Sequence, residues 1–140
     1  AARLKLLVKV GRFADAKAVA DGMVAKAAKR GDTAALASVA TELVGAKGQP
    51  ELAAVAVAAA EDYLTIAGED DVRALLLAAE ANAAAGKAGR SVALGKAAVP
   101  LAEKAVRNET DVRFLMPLAE AQFFAGDKEK ARATVEKVLA

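Results

Sequence analysis

The sequence predicts an all-α fold, a right-handed α-solenoid of about four antiparallel helix hairpins. Three observations point there. First, about 40 of the 140 residues are alanine, the strongest helix former. Val apart, the β-branched and aromatic residues that strands prefer are scarce, with Tyr 1, Phe 4 and Trp 0. Second, Gly11, Gly48, Gly86 and Gly126 recur at intervals of 37, 38 and 40 residues, each between two helical stretches. A near-constant period in this range marks a repeat array. Third, five residues after each glycine stands a small residue, Ala16, Ala53, Ser91 or Ala131. Small side chains at such places let two helix axes approach.

The elements follow in order. A first helix is expected over residues 2–10 and a second over 14–29. Gly31 ends the second, and Asp32 or Thr33 supplies the capping oxygen for a third over 33–44. Residues 45–49 read as a loop. Pro50 opens a fourth helix, 50–66, at a first-turn position where its missing N–H costs nothing. Glu69, Asp70 and Asp71 sit where negative charge suits the start of a fifth helix, 71–85. A sixth spans 88–107 with Gly95 and Pro100 inside it, and a kink is expected near Pro100. Residues 108–110 read as a loop. The seventh helix covers 111–125, with Pro117 as a second expected kink, and the eighth covers 127–139. These helices form one domain of four units, about 1–31, 32–69, 70–109 and 110–140.

Composition excludes several chemistries. Cys 0 and His 0 remove thiolate nucleophiles, imidazole acid–base catalysis, N/S-ligated zinc and disulfides. Ser38 and Ser91 therefore lack a histidine base. Glu61–Asp62 and Asp70–Asp71 are adjacent pairs, and adjacent helical residues do not face each other. Residues 86–91 are glycine-containing and basic but lack the spacing of a phosphate loop. No loop has calcium-binding spacing. The expectation is no enzyme, no cofactor and no metal. A formal net charge of +2 and five aromatics offer no basic stripe with stacking partners, so no nucleic acid is expected. The most apolar run, 52–60, is far short of the ~20 residues a membrane helix needs. The chain begins at Ala1 without a signal sequence and reads as a piece of a longer protein.

The repeat resembles the tetratricopeptide family. The last unit matches best, through Leu115, Leu118, Ala119, Phe123 and the turn Gly126-Asp127-Lys128-Glu129-Lys130-Ala131. The first matches over residues 10–16, and the third through Leu75, Ala78, Ala79 and Gly86. The spacing exceeds the family's 34 residues, the second and third units lack the first-helix aromatic, and the repeat-ending proline is missing. The stretch 118–131 is also similar to the C-terminal helical regions of some bacterial thioredoxin-fold proteins. That likeness implies a redox neighbour upstream and an exported, periplasmic location in place of a cytoplasmic one.

The resemblance implies a concave groove lined by the third, fifth and seventh helices that binds a protein or peptide. Glu42, Glu80 and Glu120 each lie six residues before their unit's glycine and would form an acidic ladder there. Arg73 and Arg113, seven residues before Glu80 and Glu120, would share the groove. Asn82 and Gln122 could bind an extended peptide backbone. Each has a plainer alternative: solvated surface glutamates, local pairing with Arg73 and Arg113, or amides bonded to backbone carbonyls between helices. Phe114, Met116, Phe123 and Phe124 are either groove anchors or packing against the eighth helix. Tyr63 is expected to pack with its hydroxyl at the surface. A second functional reading is a structural or dimerisation domain attached to an upstream catalytic domain. It rests on the ends, where Leu4, Leu7 and Val8 on one side and Val135, Val138 and Leu139 on the other begin and finish the stack uncovered. A weak homodimer through such an end is the corresponding partner expectation.

Overall fold

The computed structural model describes residues 2–46, 48–106 and 111–140. Over these residues the chain is all-helical. The helices are α1 (Ala2–Lys9), α2 (Phe13–Arg30), α3 (Thr33–Val44), α4 (Pro50–Ala67), α5 (Val72–Ala84), α6 (Ala88–Ala105), α7 (Val112–Phe124) and α8 (Lys128–Leu139). Boundaries fall within two residues of those expected. The loop expected at 108–110 lies outside the described residues. Neither proline ends its helix: α6 runs through Pro100 and α7 through Pro117. No described helix is long and apolar enough to cross a membrane.

Of the two candidates at the start of α3, Asp32 is the cap, and three further aspartates do the same elsewhere. Asp32, Asp71, Asp111 and Asp127 each precede a helix and accept a backbone N–H with the side chain, at 3.0–3.1 Å from the nitrogens of Ala35, Ala74, Arg113 and Lys130. Each satisfies an otherwise orphaned donor of the first turn. The periodic glycines close the hairpins. Gly86 has φ +79° and Gly126 φ +90°, a backbone region that only glycine enters without strain. The next residue then donates back to the preceding helix: Lys87 N–H to the Asn82 carbonyl at 2.8 Å and Asp127 N–H to the Gln122 carbonyl at 2.9 Å. Arg12 N–H makes the same bond to Leu7 at 2.9 Å. One helix stop, written with one residue, thus recurs along the chain.

Packing is between near neighbours. Each helix packs on the next, and α1, α3, α5 and α7 also touch in a row. Among the even helices only α2 and α4 bring their backbones this close; α4 and α6 are linked through side chains. Leu36, Val39, Leu43, Leu52 and Leu75 anchor a core otherwise built largely of alanine. Of the small residues that follow the periodic glycines, Ala16, Ser91 and Ala131 are buried and Ala53 is half-buried. Among the glycines, Gly95 is the most tightly covered. A Cβ there would stand 2.6 Å from the Phe124 carbonyl carbon and would also collide with the Ala125 nitrogen. Gly95 therefore serves as a seat for the end of α7 on α6, and its place within a helix is explained by that contact.

The first end differs from expectation. Leu4 is fully buried, and Leu7 and Val8 are half-buried, because α1 turns that side onto α2 and α3. The exposed apolar residues of α1 are Leu6 and Val10. At the other end Val135 and Leu139 are exposed, and Val138 is half-buried.

Candidate functional site

The site forms where α5 and α7 lie side by side. Arg73, Leu76, Leu77 and Glu80 follow one another at three- and four-residue steps, so they share a face of α5. Phe114, Pro117 and Glu120 do the same on α7. Ala37 and Thr41 of α3 and Ala102 and Ala105 of α6 complete a cavity of about 490 Å³ with these seven residues and Val72. Its lining is mostly apolar, with Arg73, Glu80 and Glu120 as its charged groups.

Glu80 and Glu120 are brought together. They share this cavity and a second of about 630 Å³ bordered by Met116, Phe123, Lys128, Arg132 and Val135. Neither carboxylate forms an ion pair among the described residues. Partial burial, and secondarily the negative charge of Glu80, push the Glu120 carboxyl above the ordinary glutamate range. The two carboxylates thus share mostly apolar cavities that Arg73, Lys128 and Arg132 also border, without an ion pair to any of these cations among the described residues.

The other expected groove residues are placed differently. Glu42 lines a separate cavity of about 460 Å³ with Tyr63, Ser38 and Arg73, so the three-rung ladder reduces to a pair. Arg73 borders both cavities. Arg113 lines none of these cavities. Its guanidinium bonds to Asp111 at 2.9 Å and stands 5.7 Å from the Phe114 ring centre, on the solvent side. That contact also holds the Asp111 carboxyl below its usual range. The local pairing expected between these arginines and the groove glutamates is not made.

Asn82 and Gln122 leave the groove altogether. Asn82 is 1% exposed and donates from Nδ2 to the Ala78 carbonyl at 2.8 Å. Gln122 is 8% exposed and accepts from the Thr134 hydroxyl at 2.6 Å. Ser91 makes the parallel link, donating to the Ala79 carbonyl at 2.8 Å. Ser91 and Gln122 thus link the two helices of the α5/α6 and α7/α8 hairpins, while Asn82 finds its partner within α5, as a buried polar group must. Thr41 entered the site without a sequence signal, since an exposed helical threonine looks like any other surface residue.

The four large residues of α7 divide. Phe114 lines the first cavity, and Met116, Phe123 and Phe124 the second. Phe123 and Phe124 meet edge to face with centres 5.4 Å apart, and Phe123 stays exposed. Tyr63 is buried. On the far side, Arg90 of α6 makes a two-pronged bond to Glu61 of α4, at 2.7 and 3.1 Å, clamping adjacent hairpins.

The arrangement can hold a cationic group between two carboxylates, with apolar contact beneath. No family model matches the sequence, and neither the curated proteins nor the solved structures offer a match.

Proposed function

We propose that this chain is a non-catalytic interaction module, a right-handed helical solenoid of the tetratricopeptide kind whose concave face is formed by α3, α5 and α7. The continuous contact along the odd helices, against broken contact along the even ones, supports a stack curved toward the odd side. The ligand we propose is a segment of a partner protein that presents a lysine or arginine beside an apolar residue. The cation sits between Glu80 and Glu120, and the apolar neighbour lies over Leu76, Leu77 and Phe114. The observation that supports this reading is the pair of carboxylates, neither in an ion pair among the described residues, beside a mostly apolar cavity.

Selection from a displayed random-peptide library tests it. Recovered peptides should be enriched in Lys or Arg next to Leu, Phe or Met. Their affinity should fall at least about ten-fold, or about 1.4 kcal/mol, in the Glu80→Gln/Glu120→Gln double variant. Peptides without a basic residue, or equal binding to the variant, would overturn the reading.

The structural-domain reading is supported by a different observation, the exposed apolar residues at both ends of the chain. There the groove is empty and an end supplies the contact to an upstream domain.

A further inference from the structure

Counting from each hairpin's glycine places equivalent residues in register. Five residues before it stand Leu6, Leu43, Ala81 and Ala121. The last three are buried, whereas Leu6 is 59% exposed. Nine residues after it stand Ala20, Val57, Gly95 and Val135. The first three are buried, whereas Val135 is 37% exposed. Ten residues before it, Leu76 is buried and Met116 exposed. One residue before it stand Val10 and, in α7, Ala125.

One pair of these positions, the residue before one glycine and the ninth after the preceding glycine, is seen to meet within the chain. Within the chain, Ala125 at the end of α7 lies directly on Gly95 of α6. The docking half of that contact, unfilled, is the Leu6 and Val10 face of α1. The receiving half, unfilled, is the Met116 and Val135 face of α7 and α8. A valine at the receiving position is no obstacle, because Val57 is buried at the same place in the second hairpin. Charge does not oppose the match: α1 carries Arg3, Lys5 and Lys9, and the receiving cavity holds Glu80 and Glu120 alongside Lys128 and Arg132.

We propose that a second copy of this chain docks α1 on the α7/α8 face, so that copies associate head to tail and extend the stack from molecule to molecule. The two surfaces differ, so the contact is heterologous and does not close on a dimer. The docking residues Leu6 and Val10 line neither carboxylate cavity, but the receiving cavity includes Glu80 and Glu120 of the peptide site, so Leu6→Glu is the variant that tests association without touching that pair.

Sedimentation velocity from about 10 μM to about 1 mM tests it, a range suited to a small contact. Wild-type mass should rise steadily, past two copies, with no plateau at the dimer. Leu6→Glu and Val135→Glu, both at exposed positions, should each remain monomeric with unchanged helical circular dichroism. Mixed one to one, they should form a dimer and nothing larger, since each supplies the intact half the other lacks. A wild type that stays monomeric throughout overturns the proposal and leaves the faces to a different partner. A wild-type dimer that stops at two overturns it in favour of a symmetric contact. Failure of the mixture to dimerise overturns it as well.

Discussion

At Glu120, burial and the neighbouring Glu80 carboxylate both oppose ionisation. A carboxyl whose pKa rises on folding favours the folded state fully at pH below its unfolded value. That contribution is lost as pH rises through the raised value. For this group, then, stability should fall between the acid range and neutrality. Glu120→Gln removes the titration: its unfolding free energy at pH 7 should equal or slightly exceed that of the wild type, by at most about 0.5 kcal/mol for so exposed a side chain. Its midpoint should also change less between pH 4 and pH 7. Melts at the two pH values check this, and a variant clearly less stable at pH 7 would count against uncompensated charge. The same scale shows what sequence spacing could and could not say. Glu80 and Asn82 are two residues apart, and two helical residues differ by about 200° in direction. Both cannot face one groove. With Glu80 outward, Asn82 must turn into the hairpin, and Glu120 and Gln122 repeat the relation. Arg73 is seven residues from Glu80, two turns up the same face, and does reach the cavity. Arg113 has the same spacing from Glu120 but sits in the first turn beside its capping Asp111, which captures it.

Elements were the most legible level. Helix ends are written in residues whose local chemistry leaves little choice, an aspartate that caps or a glycine that admits positive φ, and α3 falls over the range expected. Contacts between elements are less legible, because alanine gives few clues to which face meets which neighbour. Gly95 is the instructive case. In sequence it is a weak point in a long helix, about 1 kcal/mol worse than alanine by propensity. In the structure it is the seat of α7. Gly95→Ala should therefore destabilise in spite of better helix propensity, by about 1–3 kcal/mol as for other overpacked sites. Denaturant titration measures this. A stabilised variant would mean that α7 does not lie so close.

Across the whole molecule, helices touch only their first and second neighbours in sequence. The solenoid we propose predicts that stability is local, the sum of unit and nearest-neighbour terms. Leu4→Ala opens a cavity under α1, at a typical cost of about 2–5 kcal/mol. Hydrogen exchange should quicken in α1 and α2 and stay unchanged in α7 and α8. Uniform acceleration along the chain would show that the hairpins unfold as one. The overall all-helical class was legible from alanine content and glycine period. The uncovered ends were legible only in part: the sequence shows apolar residues at both, but Leu4 and Leu6 look alike until α2 and α3 are in place.

Tyr63 gives this locality an optical handle. It is the one tyrosine of a chain without tryptophan, and it is buried in α4 beside the α3 cavity. Near-ultraviolet absorbance and intrinsic emission at tyrosine wavelengths therefore come from the second hairpin alone, while far-ultraviolet ellipticity averages all eight helices. The molecule carries, without labelling, a reporter for one quarter of itself.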